Sequence, residues 1–211
     1  MIRNIFLTLA ATTFAAATAT TMMPHSAKAD SNSDTITMAV RVVGLQNSAG
    51  KTTLTQDSAT KLLSDVSQSY AKAGCNIQFK LESFTAVNPK DKGLEYNTST
   101  MAELDKYRAA FDDGKSMLIV DTGAWDSSMH PANAWTAMPG ETKMGAVFES
   151  SVADFYQIVG HELGHYLGLD HVDDSSNMMN PVIDDYSVKI TPDQCNGMRQ
   201  VAQTALAASR R

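Results

Sequence analysis

Three histidines lie close together in the segment HELGHYLGLDH, residues 161–171. If the segment is helical, His161 and His165 project from one face, one turn apart, and both imidazoles can reach one metal ion. Gly168 has no Cβ, so the chain can turn there in a left-handed conformation and bring His171 back toward the other two. The spacing therefore predicts a metal site with three imidazole ligands.

A glutamate, Glu162, directly follows the first of these histidines. Catalytic zinc sites have three protein ligands and leave the fourth position to water, whereas structural zinc sites are closed. The ion lowers the pKa of that water, and a neighbouring carboxylate can accept its proton. The pattern predicts one catalytic Zn²⁺ bound by His161, His165 and His171, with Glu162 as the general base.

A second motif, Asn177-Met178-Met179-Asn180-Pro181, follows the third histidine. Together with H-E-x-x-H-x-x-G-x-x-H it resembles the metzincin clan of zinc peptidases, and its Met-x-Pro ending is similar to the matrixin-like branch. The resemblance implies that Met179 belongs to the Met-turn beneath the zinc ligands. It also implies a zinc endopeptidase that binds a protein or peptide substrate by strand addition to an edge strand near residues 134–148.

The elements that must position these residues alternate along the chain. Strands are predicted at 35–45, 76–86 and 116–120, with helices at 55–73 and 99–111 between them and two short strands at 134–138 and 145–149 after them. A helix from 151 to 167 carries the histidines, and a final helix follows Thr191-Pro192. This order predicts an α/β fold with a mostly parallel sheet. The resemblance implies the metzincin-like zincin fold, with a twisted mixed sheet, backing helices, an active-site helix, a Met-turn and a C-terminal helix.

The N-terminal region is typical of an export signal. Arg3 precedes an apolar stretch at residues 5–17, and Ala27-Lys28-Ala29 suits cleavage before Asp30. We therefore expect a signal peptide at 1–29 and a single catalytic domain at 30–211, secreted or periplasmic and monomeric. A retained N-terminus, either amphipathic or membrane-anchored, is the alternative.

The overall charge is acidic. With a net charge of −6 and a pI near 5.3, the chain lacks the basic field that would gather nucleic acid or an acidic membrane surface. The expected partners are therefore neutral or basic proteins and peptides.

The chain has two cysteines, Cys75 and Cys195. In an oxidising compartment we expect them to form a disulfide that joins the early part of the domain to its last helix. Two buried free thiols are one alternative, and a Cys75 thiolate bound to the zinc is another.

Acidic side chains surround the third histidine. Asp170, Asp173 or Asp174 could orient His171 through its other ring nitrogen, or the cluster could bind Ca²⁺; a solvated loop is the simpler interpretation.

Two other functions are compatible with these motifs. The protein could be a secreted interaction or toxin-like module that binds zinc without proteolysis, or a zinc hydrolase that acts on a non-peptide amide. An exposed strand edge beside the metal site would favour a peptide substrate.

Overall fold

A five-stranded sheet with four α-helices forms the body of the protein in the computed structural model, which describes residues 34–209. The predicted signal peptide, residues 1–29, lies outside the described residues. The strands are β1 (Ile36–Leu45), β2 (Ile77–Val87), β3 (Met117–Asp121), β4 (Ala134–Thr136) and β5 (Ala146–Phe148). The helices are α1 (Gln56–Lys72), α2 (Met101–Phe111), α3 (Tyr156–Tyr166) and α4 (Pro192–Ser209). Among these helices, none is both long and apolar enough to cross a membrane.

The sheet is mixed and mostly parallel, which confirms the predicted α/β fold class. Its strand order is β2-β1-β3-β5-β4. The pairs β1–β2, β1–β3 and β3–β5 are parallel, and β4 pairs with β5 in the antiparallel direction. Strand β4 is therefore one edge of the sheet.

Both faces of the sheet are covered. On the central strand β3, Met117 and Ile119 join the core that includes α1, α3 and α4, whereas Leu118 and Val120 join the core on the α2 side. The period of two follows from the pleat, because successive side chains of a strand point to opposite faces. A strand buried on both faces is a continuous apolar run, which is what residues 117–120 are.

The helix that carries His161 and His165 starts later than the sequence predicts. Residues 151–155 are not helical: α3 begins at Tyr156, so Asp154 lies before the helix and not in its first turn. The N–H groups of Val152 and Phe155 bond to the carbonyls of Glu149 and Val152, which makes two successive tight turns. Phe155 is extended (ψ 103°), and this interrupts the helical backbone immediately before α3. The polar residues that resemble a helix start belong to these turns.

Helix α4 is fastened to the starts of β1 and β2. Cys195 of α4 forms a disulfide with Cys75. One turn later, the Arg199 guanidinium donates hydrogen bonds to the carbonyls of Cys75, Asn76 and Asp34 at 3.0–3.2 Å. Covalent and polar contacts thus hold the last helix against the beginning of the sheet.

Removing the disulfide should lower the free energy of unfolding. The bond joins residues 120 apart, and the chain-entropy model assigns about 5 kcal/mol to a loop of that length. We predict this loss in urea unfolding of the Cys75→Ser/Cys195→Ser double variant, and a similar loss for the wild type in reducing agent. Equal unfolding midpoints for variant and wild type would contradict a stabilising role.

Asp121, at the end of β3, is a buried carboxyl group. Its Oδ2 accepts a hydrogen bond from the Leu54 N–H at 3.2 Å. Burial raises its pKa from 3.8 to about 6, and repulsion from Asp154 acts in the same direction. The folded protein therefore binds this proton more tightly than the unfolded chain does. Consequently the free energy of unfolding falls as the pH rises through this interval.

Asp121→Asn should remove this pH dependence, since the amide does not ionise and its oxygen can still accept from Leu54. We expect the stability of the variant relative to wild type to increase between pH 4 and pH 6.5, by about 2 kcal/mol. Urea unfolding at both pH values measures it, with the exposed Asp91→Asn as control. Parallel pH profiles for wild type and Asp121→Asn would refute the assignment.

Candidate metal centre

The three predicted ligands converge on one point. His161 and His165 lie on the same face of α3, with their Nε2 atoms 3.0 Å apart. Gly168 follows the helix with a φ of +86°, the left-handed conformation that glycine adopts without strain. The chain then returns His171, whose Nε2 lies 3.1 Å from that of His165 and 3.2 Å from that of His161.

Backbone carbonyls set the orientation of two of the rings. The Nδ1 of His161 lies 2.7 Å from the Met178 carbonyl, and the Nδ1 of His165 lies 2.6 Å from the Leu169 carbonyl. Because a carbonyl only accepts, each Nδ1 carries the hydrogen and each Nε2 presents a lone pair. Burial lowers the pKa of His161 to about 4 and also lowers that of His165, so both rings are neutral near pH 7.

This donor set fits a zinc ion. Tetrahedral zinc with bonds of about 2.0–2.1 Å to nitrogen separates its ligand atoms by about 3.3 Å, close to the 3.0–3.2 Å between the Nε2 atoms. His171 is exposed, so one side of the group opens to the surface. Three imidazoles with an open side are the ligand arrangement of a catalytic zinc site.

The methionine pair packs directly behind the helix that carries the histidines. Met178 and Met179 are both fully buried. A Cβ added to Gly160 would lie 2.8 Å from the Met178 sulfur, and one added to Gly164 would lie 2.5 Å from the Met179 sulfur. Two glycines one helical turn apart therefore allow this close approach. This Gly-x-x-x-Gly spacing lies about 100° around the helix from the two histidines and was not predicted to have a role.

A pair of amide side chains supports the same turn. The Asn177 Oδ1 accepts from the Met179 N–H at 2.9 Å, and the Asn177 Nδ2 donates to the Gln194 Oε1 at 2.9 Å. Gln194 returns a bond from its Nε2 to the Asn177 Oδ1 at 3.2 Å. The first turn of α4 thereby fixes the segment that contains Met179.

Glu162 is buried next to the histidines and contacts the edge strand. The Thr136 hydroxyl donates to the Glu162 Oε2 at 2.6 Å. Burial raises the pKa of Glu162 to about 7, while the Thr136 hydrogen bond and the positive charge of Arg108 oppose that rise. Glu162 was predicted from the sequence motif, whereas Thr136 and Arg108 were not.

Strand β4 leaves main-chain groups open beside the metal centre. The neighbours of the strand, Asn133 and Ala137, hydrogen-bond to the facing chain at Glu149 and Gly145. Antiparallel pairing alternates, so Ala134 and Thr136 direct their N–H and C=O groups to the other side. The sequence predicted an edge strand in this region but not which groups face outward.

One cleft contains these features. It has a volume of about 1220 Å³ and includes all of β4, the three histidines and Glu162. Pro181, Val182 and Ile183 line it from the segment that follows the Met-turn. Residues 134–136 and 181–183 thus border the same space as the predicted metal ligands.

The acidic residues near His171 are engaged elsewhere or exposed. The Asp174 carboxylate accepts hydrogen bonds from Lys189 at 2.6 Å and from the Ser176 hydroxyl at 2.7 Å. Asp170 and Asp173 are exposed to solvent. Within residues 34–209, the histidine triad is the cluster of His, Cys, Asp or Glu side chains whose ligand atoms lie close enough together to bind one metal ion. These contacts give no support to a Ca²⁺ site at the acidic cluster.

Residues 38–202 match the sequence model of the family described as Matrixin, a peptidase family. The match covers most of the chain. This chain belongs to the matrixin family. Membership implies zinc, and the histidine triad is a group that could bind it.

Two solved structures resemble this member of the matrixin family in fold. Metalloproteinase-II from Bacteroides fragilis is 15% identical, with a TM-score of 0.57 over 79% of this chain and 53% of that chain. A chaperone-substrate complex is 11% identical, with a TM-score of 0.50 over 82% of this chain and 35% of that chain. The chain thus spans about half the length of the first structure, and at these identities the likeness concerns the fold alone. No curated protein sequence matches this chain.

Replacing any one of the three histidines with alanine should abolish stable zinc binding, because the two remaining imidazoles are too few protein ligands for a tetrahedral zinc site. We predict about one zinc per wild-type chain and a large loss of zinc in His161→Ala, His165→Ala and His171→Ala. Metal analysis by mass spectrometry after gel filtration measures it. His130→Ala, at an exposed loop histidine, is the matched control; equal zinc content in control and site variants would contradict the assignment.

Proposed function

We propose that this matrixin-family chain is an exported zinc-dependent endopeptidase, with His161, His165 and His171 as the zinc ligands and Glu162 as the general base. The observation that carries the proposal is the convergence of three Nε2 atoms within 3.2 Å of one another next to a buried carboxylate. A binding site alone has no need of that carboxylate.

The chemical roles follow from the positions of the side chains. A bound zinc ion would supply Lewis acidity toward a carbonyl oxygen and lower the pKa of water. Glu162 would accept the proton of the attacking water and then deliver it to the leaving amine nitrogen. Its burial shields this carboxylate from bulk solvent, which keeps the proton within the site.

The substrate would bind as an added strand along β4. The outward N–H and C=O groups of Ala134 and Thr136 can pair with an extended peptide backbone. The side chains of Pro181, Val182 and Ile183 form an apolar wall of the cleft and would contact substrate side chains beyond the cleaved bond. This open strand edge favours a peptide over a non-peptide amide.

Export is part of the proposal. The predicted signal peptide at 1–29 and the Cys75–Cys195 disulfide support it, because structural disulfides persist in oxidising compartments. The mature enzyme would then be residues 30–211, secreted or periplasmic.

A zinc-binding module without proteolysis is the second candidate. Such a module would retain the three histidines and the buried Met-turn. It would not require an open strand edge in the same cleft as a buried glutamate. The two candidates therefore differ in whether peptide bonds are cleaved.

The first test is cleavage of a mixed peptide library by purified residues 30–211, with and without a zinc chelator. We expect one zinc per chain, with cleavage that the chelator abolishes and added zinc restores. Zinc binding without cleavage would favour the binding module, and absence of zinc would overturn both candidates.

Glu162→Gln should retain zinc and lose hydrolysis by about 10²–10⁴-fold, since an amide cannot accept the proton. The comparison uses kcat/KM for one cleaved peptide and the zinc content of the same sample. Glu141→Gln, an acidic residue on the rim of the same cleft, is the matched control and should leave the rate nearly unchanged. Substantial activity in Glu162→Gln would refute the general-base assignment.

A further inference from the structure

We propose that Thr136 is a positioning residue, whose hydroxyl orients Glu162 so that one defined carboxylate oxygen faces the reaction. The inference rests on the proposed function, because it assigns a role to the contact between the edge strand and the general base.

The hydrogen bond is short and shielded from solvent. The Thr136 Oγ1 lies 2.6 Å from the Glu162 Oε2, and the two residues are 7% and 5% exposed. A carboxylate only accepts, so the threonine donates, and a bond to a charged group is stronger than one between neutral groups. Since Oε2 is engaged in this way, Oε1 is left to receive a proton.

Glu162 requires such a restraint. Its side chain has three rotatable bonds, and a productive base must hold one orientation to within a fraction of an ångström. In the described part of the chain, Thr136 is the side chain that hydrogen-bonds to this carboxylate. Threonine suits the task because its β-branched side chain is stiff about χ1.

The strand that carries Thr136 is itself anchored from behind. Arg108 of α2 is buried, and its guanidinium donates to the carbonyls of Trp135 and Gly145, each at 2.8 Å. The third contact of Arg108 is an ion pair with Asp105 at 2.9 Å. The strand has only three residues. The two Arg108 hydrogen bonds therefore fix much of it, because they hold the residue before Thr136 and the start of the facing strand β5.

Thr136 therefore contacts Glu162 and also borders the proposed substrate site. Its side chain hydrogen-bonds to Glu162, and its main-chain groups lie on the open edge where the proposed substrate strand pairs. A substrate that pairs with this edge would restrain the same residue that orients Glu162. Loss of the hydroxyl alone should therefore lower turnover, because Glu162 loses its restraint. It should have little effect on substrate binding, because the main-chain groups of Thr136 remain.

Thr136→Val and Thr136→Ser test the role as a pair. Valine keeps the β-branched shape and main-chain pairing but removes the donor, whereas serine keeps the donor. We expect kcat to fall about 10- to 100-fold in Thr136→Val, with KM changed less than about two-fold and zinc content unchanged, and we expect Thr136→Ser to recover most of the rate. Thr204→Val, at an exposed position of α4, is the control.

A second readout does not depend on turnover. In metal-free protein, a double-mutant cycle combines Thr136→Val with Glu162→Ala, which removes both carboxylate oxygens, and follows the free energy of unfolding in urea. Non-additive shifts support the contact, and additive shifts overturn it. An unchanged kcat in Thr136→Val, in a wild-type background that cleaves peptides, also overturns the positioning role. If zinc-loaded wild type cleaves nothing, the proposed function fails, and the positioning role of Thr136 fails with it.

Discussion

The packing of the Met-turn against α3 is the contact on which the metal centre depends. The Met178 carbonyl sets the ring of His161 through its Nδ1. The Met179 carbonyl accepts from the Val172 N–H at 2.9 Å, next to His171 along the chain. The segment 178–179 therefore positions two of the three histidines. It contacts the imidazole of His161 directly, and it contacts the backbone of the residue that follows His171. The absence of side chains at Gly160 and Gly164 allows the helix to come close enough for this.

Two sets of hydrogen bonds hold the residues of the site, and they come from helices on opposite faces of the sheet. Behind α3, Asn177 and Gln194 fix the Met-turn to α4. On the other side, Arg108 reaches from α2 to the backbone of the edge strand, which in turn contacts Glu162. The three histidines and Glu162 are thus held by different elements. Under the proposed function, changes behind α3 should alter zinc affinity, and changes at the edge strand should alter turnover.

The sequence predicted the parts of the fold that have a regular period. The strands of residues 36–45 and 77–87 and the first two helices agree with their predicted ranges within a few residues, because burial imposes a period of two or 3.6 on apolar side chains. The spacing of His161, His165 and His171 likewise predicted their convergence. The start of α3 was wrong by five residues, since Ser151 and Asp154 favour a helix N-terminus locally while the chain forms tight turns there.

The supporting residues could not be predicted, because nothing in the local pattern indicates them. Thr136 and Glu162 are 26 residues apart, and a single threonine in a three-residue strand has no period to interpret. Arg108 resembles an ordinary solvated residue of a polar helix, yet it is only 3% exposed. Both contacts arise from the tertiary fold, which aligns the edge strand between α2 and α3.

The link from α4 to the Met-turn has a consequence for the timing of assembly. Gln194 supports Asn177, and its neighbour Cys195 is bonded to Cys75, so one helical turn joins the metal centre to the beginning of the sheet. A ribosome makes α4 after all three histidines. Until that helix has emerged, the segment beneath the ligands lacks its polar support. The nascent chain therefore carries the complete ligand set before it has the scaffold that holds those ligands in place.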